Sequence, residues 1–438
     1  MNRDEAYKRA QEAWVSNCTG GSVAEIISVC SSLVASQALW VNLANANLVN
    51  PNDFASQLFI YVVPMVLSQT VAADYANVVS VSLLSLAMLV RMSCNQRAQQ
   101  TSMDVGVGSV VFSSGIVSSR AYLSTIPSKS KLSQLVASVR SALSILILGT
   151  LRLLLTKGVD YQEHHSEYGL HWNFFFTLGF LPPFVTLASF LHRIVPFSIL
   201  GLTTGAVYQF LLMQQGLQTW ILEAPRIDLL SANKEGICSF AGYLSTFFLG
   251  LDSGMVVFDK YLSSHAISRW LGLQTASNRR QVIIHLSLRA AFYWILFFAW
   301  ITFASNEESL SVSRRMANLP YILWVVAFNL SLLTALVLVE EAFGPGGAGR
   351  GPFLLEAVNI NGLLTFLWAN ILTGLVNLSM KTLYASTLVS VAVCLAYMTA
   401  VSALPWTLNA YVYDMIAWDH VKWICNISQI GLPPDLDF

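Results

Sequence analysis

Charge is what this sequence has least of. Only 11% of its 438 residues are Asp, Glu, Lys or Arg, against 55% apolar, and a soluble domain carries about 25% charge. The 24 basic residues equal the 24 acidic ones, so there is no electrostatic case for binding nucleic acid. The six cysteines (Cys18, Cys30, Cys94, Cys238, Cys394 and Cys425) are scattered, with no CxxC pair. That spacing indicates neither a zinc site nor a disulfide framework, and no metal is expected. The opening MNRDEAYKRAQEAW lacks an apolar core ending in a small-residue cleavage site, so it does not read as a cleavable signal peptide.

What the chain has instead is long apolar runs. They fall at 23–46, 56–72, 77–93, 104–123, 138–156, 171–190, 194–215, 237–257, 283–304, 318–341, 361–379 and 383–405. Each is long enough to cross a bilayer as a helix. None alternates polar with apolar as barrel strands do. The expected fold is an all-α polytopic membrane protein, a bundle of about 12 transmembrane helices without a soluble domain. Its organisation reads as a polar N-terminal segment (1–22), a multispanning region (23–405) and a C-terminal tail (406–438).

Basic residues collect at 120–140 and 252–282. Both loops fall on one side of the expected bundle, which the positive-inside rule makes cytoplasmic. Loops 157–170, 216–236 and 305–317 then face the lumen. The same parity puts the N-terminus in the cytoplasm, in conflict with the glycosylation tripeptide Asn17-Cys18-Thr19.

Polar groups near membrane helices are costly and are kept where they line a site or pathway. In YQEHHSEYGLHWNFFF (161–176) a helix would put His164, Glu167 and His171 at i, i+3 and i+7, on one face. A carboxylate beside a histidine orients it and raises its pKa, so the pair could take a proton from a hydroxyl and hand it to a leaving group. Read equally well, Tyr161, Tyr168 and Trp172 form an interfacial aromatic belt with solvated acids. In SANKEGICSFAGY (231–243), Ser231 or Asn233 could cap a helix with Glu235 in its first turn. Alternatively, that helix end and Lys234 could face a phosphate. In SVSRRMANLPY (311–321), Arg314 and Arg315 read as topological anchors or as a fork for phosphate, and Asn318 and Pro320 suit a helix start. SMDVGVGSVVFSSGIVSSR (102–120) opens with Asp104 and is rich in Gly and Ser. Tight helix packing is the favoured reading there, with room for an acyl chain as the other.

These stretches resemble a known family. DYQEHHSEYGLHWNFFFTL (160–178), MDVGVGSVVFSSGIVSSR (103–120), SANKEGICSFAGYLS (231–245), VSRRMANLPYILWVV (312–326) and NGLLTFLWANILTGLVNLSM (361–380) are similar to motifs of the glycosylphosphatidylinositol (GPI) inositol acyltransferases. VSNCTGGSVAEI (15–26) is similar too, and the matches run in order along most of the chain. The resemblance implies a multi-pass endoplasmic-reticulum enzyme. It would move a fatty acyl group, usually palmitoyl, from acyl-coenzyme A (acyl-CoA) to the inositol of glucosaminyl-phosphatidylinositol. Acyl-CoA would be a co-substrate, with no cofactor held permanently. On this reading His164, Glu167 and His171 are the catalytic candidates. Asp104, Asp160, Asn233, Lys234, Glu235, Arg314, Arg315 and Asn318 are the substrate-binding candidates. One family segment is absent: LAMLVRMSCNQRAQQ (86–100) runs straight into TSMDVGVGS. The family has there a further helix ending in an aspartate, then a loop with paired arginines and a lysine, and this aspartate and lysine are implicated in substrate recognition and catalysis. Losing that crossing also accounts for the sidedness conflict at Asn17. The alternatives are an inactive or truncated family member, or a lipid transporter or scramblase, which an inverted repeat in hydropathy would favour.

Overall fold

The computed structural model describes residues 23–45, 49, 53–69, 103–120, 131–157, 168–191, 195–258, 270, 278–303, 311–343, 352–380 and 385–430. In chain order the helices are α1 (Val23–Asn45), α2 (Phe54–Gln69), α3 (Met103–Ser118), α4 (Lys131–Lys157), α5 (Phe174–Ser189), α6 (Phe197–Gln214) and α7 (Leu217–Glu223). They continue as α8 (Leu229–Ala232), α9 (Lys234–Val257), α10 (Asn278–Phe303), α11 (Leu319–Phe343), α12 (Phe353–Ile360), α13 (Gly362–Ser379) and α14 (Thr387–Ile430). No strand occurs among the described residues. Six helices there are long and apolar enough to cross a membrane, and α12 with α13, bent by 89°, would make a seventh. Three shorter apolar helices accompany them, at Phe54–Gln69, Gly106–Ser118 and Phe174–Ser189. The chain is an all-α multi-pass membrane protein.

The chain divides into two compact units. The first joins residues 1–102 to 339–438. In it, Trp40 and Tyr61 pack in one buried cluster with Ala38, Leu39 and Val339. The Tyr61 hydroxyl donates to Gln37 Oε1 at 2.7 Å. Gln57, fully buried, accepts from the Leu354 backbone N–H at 2.7 Å and so ties α2 to the start of α12. Helix α2 contains a π-helical turn at Leu58–Val62. Helix α14 continues past residue 405, with Pro405 inside it.

The second unit, residues 103–338, carries the candidate site. Helix α9 lies at its centre, with two-thirds of its apolar span buried, whereas only about a tenth of the span in α4 is buried. A helix buried this completely needs small residues where its neighbours cross it. Gly250 and Gly254, one turn apart, provide them. A Cβ at Gly250 would stand 2.3 Å from Phe112 O, and one at Gly254 would stand 2.4 Å from Ile116 O. Gly115 of α3 meets Phe247 O in the same way. This seam bears out the tight-packing reading of 102–120. Helix α11 is tied in by Asn329, whose Nδ2 donates to Ser109 Oγ of α3 at 2.8 Å, and by the bond from Trp294 of α10 to Ser331 at 3.0 Å.

Candidate functional site

The site is built where α9 begins. Asp228 caps α8: its Oδ1 accepts the Ser231 N–H at 2.7 Å and is also bonded by the Ser231 hydroxyl. These bonds hold the Asp228 carboxyl below its usual 3.8. Between α8 and α9 the chain breaks at Asn233, which sits at the cap position of α9 without a side-chain cap bond. Its side chain reaches sideways instead. Oδ1 accepts the backbone N–H of His171 at 2.8 Å and of Trp172 at 2.9 Å, while Nδ2 donates to Leu229 O at 2.8 Å. The Leu170 N–H adds a bond to Ala232 O at 2.9 Å. The approach requires Gly169, which has φ +102° and would set a Cβ only 2.6 Å from Ala232 O. The family motif around His171 is thus docked on the α8–α9 break.

The helix expected across 160–176 is not continuous. Residues 169–173 are non-helical, because Gly169 takes a left-handed conformation and Asn173 caps α5. Asn173 Oδ1 accepts from the N–H groups of Phe175 and Phe176, and its Nδ2 donates to Gly149 O of α4 at 2.9 Å. His171 therefore does not share a helical face with His164 and Glu167. Those two residues, and Asp160, lie outside the described residues. Asp104 falls in the first turn of α3, and its side chain is likewise outside what is described.

Glu235, in the first turn of α9, is fully buried. Arg226 grips it with two bonds, Nη1 to Oε2 at 3.0 Å and Nη2 to Oε1 at 2.5 Å, and also donates to Ala232 O. Arg315 donates to Oε1 from 80 residues further along the chain, at 3.0 Å. A buried carboxylate is tolerable only when paired and hydrogen-bonded in this way. Lys234 is also buried, and its ammonium is engaged elsewhere. It donates to Ala224 O at 2.5 Å and Trp220 O at 3.2 Å, two carbonyls at the end of α7. A cation there completes a helix C-terminus.

Arg314 and Arg315 stand on a turn before α11. Asn318, nearly fully buried, holds this turn: Oδ1 accepts from Ser313 N at 3.0 Å and Tyr321 N at 3.4 Å, and Nδ2 donates to Ser311 O at 2.8 Å. Ala317 takes φ +45°, unusual for a residue with a side chain. Helix α9 comes so close that a Cβ on Gly242 would stand 2.0 Å from Ala317 O. From α6, Tyr208 donates to Met316 O at 2.8 Å, and Gln209 Oε1 accepts the Leu319 N–H at 3.0 Å. Arg314, Tyr168 and Tyr321 gather around the buried Tyr243, which shares a hydrogen bond with Tyr168.

A cavity of about 330 Å³ opens between α3, α4, α5 and α9, lined by Leu181, Val185, Phe247 and the hydroxyl residues Ser114, Ser118 and Thr186. Each hydroxyl donates to a carbonyl of its own helix. The cavity is therefore apolar in effect, and such a space favours hydrocarbon over water. Among the described residues no three His, Cys, Asp or Glu side chains come close enough to hold a metal ion.

Asn233, Glu235, Arg315, Asn318 and the backbone of His171 thus converge, although 147 positions separate the first from the last in sequence. Sequence reasoning missed Arg226, the strongest partner of Glu235, and Tyr243. Nothing in their local sequence marks them, since only the α7–α8 turn brings Arg226 back over α9.

These features define a multi-pass helical membrane protein with a buried ionic junction at one end of its central helix. The chain belongs to the GWT1 family, whose model matches residues 7–102 and 100–408. It is 32% identical to GPI-anchored wall transfer protein 1 of Gibberella zeae over 496 residues, covering 93% of this chain and 98% of that one. It is 40% identical to the protein of that name from Yarrowia lipolytica, over 69% of this chain and 63% of the relative. To the Saccharomyces cerevisiae protein it is 38% identical, over 69% and 64%. The Gibberella alignment is longer than this 438-residue chain, so that relative carries segments without a counterpart here. The family match itself breaks at residues 100–102, the junction where the further helix and loop were expected.

Proposed function

We propose that the protein is an endoplasmic-reticulum O-acyltransferase of GPI-anchor biosynthesis. It transfers a fatty acyl group, palmitoyl by preference, from acyl-CoA to an inositol hydroxyl of glucosaminyl-phosphatidylinositol. The observation that carries this reading is the docking of the His171 segment on Asn233, two residues from Glu235 of the Arg226–Glu235–Arg315 junction. It holds the backbone of His171 near the two arginines, in a family whose named relatives are GPI-anchored wall transfer proteins.

The chemistry asks for few parts. A histidine, His171 or His164 with Glu167, takes the hydroxyl proton as the inositol oxygen attacks the thioester carbonyl. Donors steady the oxyanion of the tetrahedral intermediate, which collapses with departure of the coenzyme A thiolate. The thiolate then takes up the proton. The apolar cavity beside Ser114 and Phe247 suits the acyl chain. Asn233 and Asn318 hold the two loops, Arg314 and Arg315 supply positive charge, and Asp104 and Asp160 are proposed as further substrate contacts, while Lys234 acts through the end of α7.

The test is acyl transfer to glucosaminyl-phosphatidylinositol in membranes bearing His171→Ala or His164→Ala. Loss in either variant, with insertion intact, supports the histidine base; unchanged transfer in both removes it. A second reading, a relative that binds the lipid without acylating it, is favoured by the segment absent at residues 100–102.

A further inference from the structure

We infer that the turn between α7 and α8 is a membrane wedge, seated in the lipid leaflet at that end of the bundle, with phospholipid acyl chains as its partner.

Between the spanning helices α6 and α9 the chain does not run straight out into water. Gly216, with φ +66°, follows the end of α6 and turns the chain back on itself. Helix α7 then packs beside the helix it has just left. Its Ile221, fully buried, meets Tyr208 and Leu212 of α6 and Met316, with Cys238 and Ala241 of α9 against the same cluster. Tyr208 and Leu212 stand six and two positions before the end of α6 at Gln214, about 9 and 3 Å along the helix axis. Helix α6 has 18 residues, about 27 Å of rise, so a hydrocarbon core of about 30 Å takes in its whole length. Helix α7 therefore lies level with the last turns of a spanning helix and not beyond them. Over those turns α6 exposes Val207, Phe210 and Leu211, the kind of surface a spanning helix turns to lipid.

The outward side of the α7–α8 turn has the same character. Ile227 and Leu229 are 85% and 73% exposed, and Leu230 and Leu222 are 55% and 45% exposed. Four large aliphatic side chains left open within nine positions mark an interaction surface, and at this depth the surrounding medium is hydrocarbon. The exposed carboxylates of the stretch, Glu223 and Asp228, set its level at the boundary between headgroups and acyl chains. Arg226 ties the wedge to the candidate site, because the residue beside Ile227 bonds Glu235 and Ala232 O. Insertion would thus hold the α8–α9 break, and the His171 segment docked on Asn233, at headgroup level. This contact exists whether or not the protein transfers acyl groups.

A diazirine amino acid placed at position 227 or 229 of the full chain provides the test. Each variant is reconstituted in phosphatidylcholine nanodiscs and irradiated, and adducts are identified by mass spectrometry of the chain and its peptides. Position 210, exposed on α6, gives the lipid reference, and a melting curve checks that each variant is folded. The expected result is a phosphatidylcholine adduct at both positions, with a yield within about threefold of the reference. A lower yield at either position overturns the inference. So does a crosslink that joins 227 or 229 to another segment of this chain, or to a second copy, in place of lipid. Acyl transfer is not read in this experiment, so its failure leaves the enzyme reading standing.

Discussion

Replacing Glu235 by Gln tests whether the ionic junction holds the second unit together. The substitution keeps the shape and removes the charge. It removes the negative charge that three arginine bonds share, two from Arg226 and one from Arg315, and replaces one acceptor oxygen by an amide N–H₂ facing a guanidinium. Removing one partner from a buried pair costs about 3–5 kcal/mol, because the other charge is stranded. Here the two arginine side chains are about a quarter to a third exposed. Water relieves them in part, so the low end applies, about 3 kcal/mol. For a unit of some 236 residues this corresponds to a melting shift of roughly 6–12 °C. Arg315→Gln removes one bond from a side chain that reaches solvent and should cost only about 1 kcal/mol. Thermal melts of the purified protein in detergent, followed by size-exclusion fluorescence, give both numbers. A Glu235→Gln variant melting within about 2 °C of wild type, or less affected than Arg315→Gln, would refute the claim that this carboxylate anchors the junction.

Gly250→Ala would drive a Cβ into the Phe112 carbonyl, a backbone atom that cannot swing away. A loss of about 1–3 kcal/mol is expected, visible in the same melts, and an unchanged melting temperature would disprove the close α3–α9 approach. Asn233→Ala should release residues 169–173, since the N–H groups of His171 and Trp172 lose their acceptor. Amide exchange there should quicken by about tenfold or more, Asn233→Asp should restore part of the protection, and unchanged exchange would argue against the docking. The carboxyl of Asp228 titrates below its usual 3.8 in the folded protein because Ser231 bonds it. Its contribution is therefore present above that value and disappears as pH falls through the lowered folded value. As pH falls below about 3.8 the wild type should lose more stability than Asp228→Asn, and parallel melting profiles would contradict this.

The helical, membrane-spanning character was legible from the apolar runs, because the bilayer admits few solutions to a chain so poor in charge. The packing of 102–120 was legible as well, since Gly and Ser at a helix surface have one dominant use in membranes. The site was legible as stretches and not as geometry. A 3.6-residue period placed His171 on a helix face with His164, yet Gly169 and Asn173 break the period and turn the segment onto α9. Lys234 looked like a phosphate ligand beside a helix N-terminus. Its role at the end of α7 depends on a turn whose course no local pattern specifies. Arg226 lay in a loop that reads as polar filler, and only tertiary folding reveals that it pairs with Glu235.

The measurement that bears most directly on the whole account is acyl transfer by this exact 438-residue chain. It would be expressed in cells lacking their own inositol acyltransferase. Their membranes would be given glucosaminyl-phosphatidylinositol and labelled palmitoyl-CoA. The account predicts an inositol-acylated product that disappears with His164→Ala or with His171→Ala. No product from correctly inserted protein, with product appearing once the helix and loop absent before residue 101 are restored, would contradict it and mark this chain as a binding relative of the enzyme.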